Sequence, residues 1–327
     1  MFDFHIHIAR LPQKKQLTQL LCDRKYDFVA VACEPWEWNE VAQLKKEFST
    51  EFKPFMVSYG IHPMIATQAN DEMFAKLRDF LTDDEHAMVG EAGIDKRYPG
   101  YDDGTQDKFF LAQAKLALEF KRHLQIHCVG DYQRVLKLLA EAGFPQETSQ
   151  RQNTKGLQTL TRLQEAPRPI FHRFGGDLSV VKKAIPYGAL FSLHADSFRK
   201  KSTVAAIPHI PQERVFFETD ADETFMRGNA NSATANANNV ILNAVEDYPN
   251  GESRAQASDN GVILNAVKDP VTFTATTAPG TEAGMTRINK AGETNESAAG
   301  GTSPEEILAE LEKRIESVRA AYAKCRE

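Results

Sequence analysis

Apolar residues recur along the chain in two rhythms that take turns. Short apolar runs occupy Phe2–Ile8, Phe28–Cys33, Phe55–Ile61, Met88–Ile94, Leu124–Val129, Ile170–His172, Ala189–His194 and Val215–Asp220. Their length and their β-branched and aromatic content predict eight strands. Between most of them apolar positions follow helical spacing, as in Thr105–Arg122 and Tyr132–Ala142. Such alternation predicts an α/β fold with parallel strands and helical crossovers. Eight units suit a closed (β/α)8 TIM-type barrel better than an open sheet. The last segment is a helix. Ser303, Pro304 and Glu306 form its start signal. Leu308, Leu311, Ile315, Val318 and Tyr322 then make one apolar stripe. The stripe is expected to close the barrel, with a dimerisation seam as the alternative.

The rhythm stops near Met226. Residues 227–303, 77 in all, contain two aromatics, Tyr248 and Phe273, among many Asn, Ala, Gly, Thr and Ser. Too little apolar area is on offer to offset chain entropy, so disorder is expected there. Removing this stretch leaves about 250 residues, the size of one barrel. Val-Ile-Leu-Asn-Ala-Val occurs at 240–245 and again at 262–267. Two copies are too few for a solenoid. A tolerated insertion after the eighth strand is the expectation, and a strand for β-addition to a partner is the alternative. A smaller polar insertion is expected at about 145–169. The predicted organisation is therefore a barrel over 1–226, an insertion over 227–303, and a helix over 304–327 packed on the barrel.

Composition narrows the class. With 42% hydrophobic and 26% charged residues, a collagen, a coiled-coil rod and a wholly disordered chain are excluded. The net charge of −6 argues against a nucleic-acid coat or a membrane-surface protein, though not against a local basic site. No run of apolar residues is long enough to span a bilayer. No secretory signal opens the chain. Cys22, Cys33, Cys128 and Cys325 are scattered, as in reduced thiols. A cytoplasmic protein without an obligate protein partner is expected.

The strand ends carry the chemistry. In Asp3-Phe4-His5-Ile6-His7, the two histidines fall on one side of a strand, where one ion can take both. Glu91 lies in the fourth apolar run and His127 in the fifth, while His172 ends the sixth and Asp220 the eighth. Each is costly to desolvate unless paired or bound to a cation. In a barrel these ends converge on the face where active sites form. Four imidazoles and two carboxylates make a ligand set for two divalent ions. Imidazole favours Zn²⁺, Mn²⁺ or Ni²⁺.

The wording of these segments resembles the TatD-type metal-dependent deoxyribonucleases, within the amidohydrolase-like barrels. The resemblance rests on Asp-Phe-His-Ile-His at 3–7, Gly-Ile-His-Pro at 60–63 and Gly-Glu-Ala-Gly-Ile-Asp at 90–95. It continues through Gln106, Phe110, Gln113, Leu116 and Ala117, then Ile-His at 126–127, Phe-His-Arg-Phe-Gly-Gly at 171–176 and Glu-Thr-Asp-Ala at 218–221. It implies hydrolysis of phosphodiester bonds at a two-metal site. His5, His7, Glu91 and Asp220 would surround one ion, and Glu91 would bridge to a second held by His127 and His172. Mg²⁺ joins the metals it allows. Cys-Val-Gly-Asp after His127, Arg173 after His172, and Asp222 after Ala221 depart from the family pattern. These departures bear on substrate choice more than on the metal core.

Two cations would offset phosphodiester charge, acidify water and stabilise the leaving oxygen. Asp220 is expected to accept the proton of the attacking water, with Glu91 setting the ion spacing. His62, Arg173 and His194 are candidate substrate contacts, and Lys96-Arg97 could add charge at the same face. A structural role for His62 is the alternative. The run Arg199-Lys200-Lys201 reads as a solvated face or a backbone clamp. Trp36 and Trp38 read as base-stacking or rim residues. Glu34 and Asp95 receive no role. The expected substrate is DNA or another phosphodiester. A same-fold hydrolase of a small amide, ester or phosphoester, and an inactive barrel acting as a binding module, are the competing readings.

Overall fold

The computed structural model describes residues 2–49, 55–146, 167–226 and 302–326. Eight strands lie in one sheet in chain order: β1 Phe2–Ile6, β2 Asp27–Ala32, β3 Met56–Tyr59, β4 Met88–Asp95, β5 Leu124–Val129, β6 Pro169–Phe171, β7 Leu190–Leu193 and β8 Val215–Phe217. Every neighbouring pair is parallel. The sheet closes on itself just past β8, where Ala221 bridges Ile6 in parallel. The backbone bonds His7 N to Ala221 O at 2.9 Å and Asp220 N to His5 O at 3.0 Å complete the seam. The expected (β/α)8 barrel is the observed fold.

Each crossover carries a helix: α1 Lys14–Asp23, α2 Pro35–Phe48, α3 Asp71–Asp83, α4 Thr105–Glu119, α5 Tyr132–Ala142, α6 Leu178–Ala184 and α7 Lys201–Ala206. Pleat alternation sorts the strand residues into two cores. On β2, Val29 and Val31 fill the barrel interior, with Phe4, Met88, Ile170 and Leu190. Phe28, Ala30 and Ala32 face the helix layer instead. Burial on both faces is why these strands read as unbroken apolar runs. Phe4 stacks on Phe216 at the floor of the barrel, with ring centroids 4.1 Å apart.

Two strands break the simple pleat. Between Asp3 and Ile6, β1 holds one more residue than β2 holds between Phe28 and Ala30. Between Val89 and Ala92, β4 likewise exceeds β5 between Leu124 and Ile126. Bulges of this kind re-aim side chains beside active sites. The first lets Phe4 pack in the floor while His5 and His7 turn to the mouth. The second turns Glu91 to the same mouth. It requires Gly90, whose φ is +133° and where a Cβ would stand 2.5 Å from Gln125 O.

The C-terminal helix, Pro304–Arg326, returns to the barrel after the stretch that follows Met226. Ser303 and Glu306 exchange the reciprocal bonds of a capping box. Ile307, Leu308, Leu311, Ile315, Val318 and Tyr322 are buried, and the ring of Tyr322 lies 5.4 Å from that of Phe217 on β8. The apolar stripe is thus covered within the chain. The repeat at 240–267 and the core of the segment at 145–169 lie outside the described residues.

Candidate metal centre

The C-terminal strand ends bring His5, His7, His62, Glu91, His127, His172 and Asp220 to one buried mouth. Glu91 stands at its centre. Its Oε2 lies 3.4 Å from His5 Nε2 and 3.7 Å from His7 Nε2. Its Oε1 lies 2.5 Å from His127 Nδ1, 2.7 Å from His172 Nε2 and 3.7 Å from His62 Nε2. One carboxylate therefore addresses two separate sets of imidazoles, one with each oxygen. Asp220 completes the first set, with Oδ1 3.4 Å from His7 Nε2 and 3.7 Å from His5 Nε2. The two Nε2 atoms are themselves 3.3 Å apart.

These spacings suit an ion. Four donors held tetrahedrally at about 2.0–2.1 Å from zinc stand about 3.3 Å from one another. In the first set His5, His7 and Asp220 stand 3.3 to 3.7 Å from one another, close to those edges, and Glu91 Oε2 lies 3.4 and 3.7 Å from the same two imidazoles. The donors are imidazole nitrogens and carboxylate oxygens, the ligand types of divalent transition metals. In the second set the contacts are tighter, with His127 and His172 drawn to 2.5 and 2.7 Å from Glu91 Oε1.

Electrostatics follow from burial and crowding. Burial alone would raise the Glu91 pKa, but His172, His127 and His62 hold its carboxyl well below the usual range. Burial is likewise overcome at Asp220, which the imidazoles of His7, His172 and His5 and the Arg173 guanidinium keep ionised. Burial works against charge on His172, yet Glu91 and Glu218 push its pKa well above normal. His127 and His7 shift upward too, against burial, through Glu91 and Asp95 for the former and Asp220 for the latter. Burial and neighbouring imidazoles drive His5 and His62 the other way. The neighbours thus favour charge on His7, His127 and His172, neutrality on His5 and His62, and ionisation of Glu91 and Asp220.

Outer carboxylates fix the rings. His127 Nε2 lies 2.9 Å from Asp95 Oδ2, and Asp95 in turn binds the Arg97 guanidinium. His172 Nδ1 lies 3.3 Å from the fully buried Glu218. Carboxylates of this kind set ring orientation and ligand basicity. The sequence reading assigned Asp95 and Glu218 no role. The available signal was a buried-type carboxylate inside an apolar strand motif, four residues after Glu91 in one case and two before Asp220 in the other. Cys33 also borders the mouth. Its thiol, kept neutral by burial and by Glu91 and Glu37, lies 3.5 Å from Glu91 Oε2.

The other candidates fall in different places. His62 joins the mouth itself, its Nδ1 accepting from Met64 N at 3.0 Å. Arg173 spans Asp196 and Asp220, with Nη1 2.5 Å from Asp220 Oδ2. His194 caps the turn Ala195–Phe198, accepting from Asp196 N at 3.1 Å. Trp38 is wholly buried, with Nε1 donating to Ala32 O and Gly60 O, and has no face left for a base. Trp36 is 47% exposed, beside the Arg10 guanidinium. Glu34 pairs with Arg10 at 2.8 Å. No described helix is long and apolar enough to cross a membrane.

Comparison with known proteins bears on the family and the fold. The "3'-5' ssDNA/RNA exonuclease TatD" of Pectobacterium carotovorum subsp. carotovorum is 26% identical over 165 residues, covering 50% of this chain and 56% of that protein. An "Uncharacterized metal-dependent hydrolase TatD" of Mycobacterium tuberculosis is 28% identical over 165 residues, with the same shares. The chain thus matches little more than half the length of these relatives. "Cut9-interacting protein scn1" of Schizosaccharomyces pombe is 24% identical over 294 residues, covering 67% of this chain and 86% of that protein. The crystal structure of YJJV, a TatD homolog from Escherichia coli, shares the fold at a TM-score of 0.54 and 17% identity, covering 76% of this chain and 98% of its own. Residues 2–260 match the family profile described as "TatD related DNase". With eight parallel strands carrying that profile, the chain belongs to the TatD-related DNase family.

Proposed function

We propose that this protein is a divalent-metal-dependent hydrolase that cleaves phosphodiester bonds in nucleic acid, DNA foremost, at a two-ion centre. The observation that carries the reading is the division of Glu91, whose two oxygens face two imidazole sets. In this reading His5, His7 and Asp220 hold one ion, His127 and His172 the other, and Glu91 joins them. The ions, Zn²⁺, Mn²⁺, Mg²⁺ or Ni²⁺, would supply charge neutralisation and acidified water.

The chain's own groups do the rest. Asp220 lies at the mouth beside His5 and His7, where its carboxylate is placed to take the proton of the attacking water. Asp95 and Glu218 keep the rings of His127 and His172 aimed inward. His62, in van der Waals reach of His127 with ring centroids 4.4 Å apart, offers Nε2 to a phosphate oxygen. Arg173 offers a guanidinium beside the same carboxylates. His194 stands one layer out, as an outer substrate contact.

The experiment is metal analysis of the purified chain joined to assays on single-stranded DNA and on bis(4-nitrophenyl) phosphate, with and without chelator. Bound metal and chelator-sensitive cleavage of both substrates are expected. Cleavage of small esters or amides alone would favour the small-molecule reading. Absence of both metal and turnover would favour the inactive barrel.

A further inference from the structure

A cavity of about 290 Å³ opens beside the metal centre, with His127 and His172 in its inner wall. That size stands at the small end of ligand sites, roughly 300–1,000 Å³. Four cations line it: Arg97 from the end of β4, Arg173 from the end of β6, and Arg199 and Lys200 from the segment after β7. One carboxylate, Asp196, lines it with them. Asp196 is shared, accepting from Arg173 Nε at 3.1 Å and lying 2.9 Å from Arg199 Nε. Arg97 is tied to the buried Asp95 behind it. Lys200 makes no ion pair among the described residues. In a chain with a net charge of −6, this is a local surplus of positive charge aimed at one opening.

The occupant must be an anion next to whatever the metal centre holds. Guanidinium forks match the oxygens of phosphate two at a time, and Arg173 already reaches from Asp196 to Asp220, so it touches cavity and centre together. We infer that the cavity binds a second, uncleaved phosphate of the substrate, gripped by Arg173, Arg199 and Lys200. Among the nucleic-acid substrates of the proposed activity, those carrying at least two phosphates are then favoured over an isolated diester. This inference rests on the proposed phosphodiesterase activity. The second phosphate can be a neighbouring internucleotide group or a terminal one, since both present the same oxygens.

Arg199, whose side chain is 58% exposed, and the exposed Lys200 can both be changed without entering the core. The test compares wild type with the double variant R199Q/K200Q on TpT, which has one phosphate, and on pTpT and TpTpT, which add a terminal and an internal one. Wild type is expected to prefer the two-phosphate substrates by about tenfold in kcat/KM, as the loss of one charge-assisted contact implies. In the variant the ratio should fall towards one. Preference for pTpT alone identifies a terminal phosphate, and preference for TpTpT an internal one. An unchanged ratio in the variant, or no preference in wild type, overturns the inference. Calorimetric titration of the chelated protein with thymidine 3′,5′-bisphosphate is independent of turnover. There wild type should bind about tenfold tighter than the variant. Equal binding overturns the cavity proposal even if cleavage is found. Tighter wild-type binding without any cleavage overturns the activity and leaves the cavity standing.

Discussion

The carboxylate of Asp3, at the start of the chain, accepts from both the backbone N–H of Thr219 at 3.0 Å and its hydroxyl at 2.5 Å. This contact joins β1 to the segment after β8. It lies two residues from His5 on one side and next to Asp220 on the other, so barrel closure and site geometry depend on the same bonds. Asp3→Ala would leave a buried N–H without a partner, a cost of about 1–3 kcal/mol. A lower denaturation midpoint together with weaker metal binding is expected. Loss of stability with metal affinity untouched would separate closure from the site.

Asp3 also has a pH signature. Burial raises its pKa from 3.8 to about 7, against the bonds from Thr219 that lower it. A carboxyl with a raised folded pKa favours folding while protonated. Its contribution is whole below the unfolded pKa of 3.8 and declines as pH climbs to about 7. The stability of wild type relative to Asp3→Asn should therefore shrink over that interval and level off above it. Denaturant titrations of both chains between pH 5 and 8 measure this, and a gap that widens with pH would refute the assignment.

Metal uptake should release protons. His172, His127 and His7 are all shifted towards the protonated form by Glu91, Glu218, Asp95 and Asp220, against the effect of burial. Ligation needs neutral rings, so affinity should fall as pH drops through their raised pKa values. The first set, with contacts of 3.3 to 3.7 Å, should load before the second, whose imidazoles sit 2.5 and 2.7 Å from Glu91. Zinc titration calorimetry in buffers of different ionisation enthalpy reads the proton count. A buffer-independent heat would exclude this coupling.

Asp220→Asn should lower turnover by about 10²–10⁴-fold, the range for a lost general base, with the circular dichroism spectrum unchanged. Asp220 sits at the mouth with a φ of +50°, a conformation asparagine tolerates. Unchanged rates with added metal would remove Asp220 from proton transfer.

Asp95→Asn and Glu218→Gln should each weaken metal binding by about 10–100-fold, as for other carboxylates behind histidine ligands. Asp95 also holds Arg97, so Arg97→Gln is the control. If Arg97→Gln weakens metal binding as much as Asp95→Asn does, Asp95 acts through the arginine and not through His127.

Periodicity alone determined the barrel, because apolar runs buried on both faces and amphipathic crossovers are local properties that any stretch of chain displays by itself. The candidate ligands stood out for the same reason: His5, His7, Glu91, His127 and Asp220 are polar interruptions of such runs. Only the tertiary structure decided how they meet. The extra residues in β1 and β4 are defined by pairing with β2 and β5, and they alone let Phe4 fill the floor while His5 and Glu91 face the mouth. Asp95 behind His127, Glu218 behind His172, Trp38 turned into the core and Arg173 spanning two aspartates are contacts between distant segments. Spacing along the chain carries no record of them, since they arise from distances that exist only once the barrel has closed.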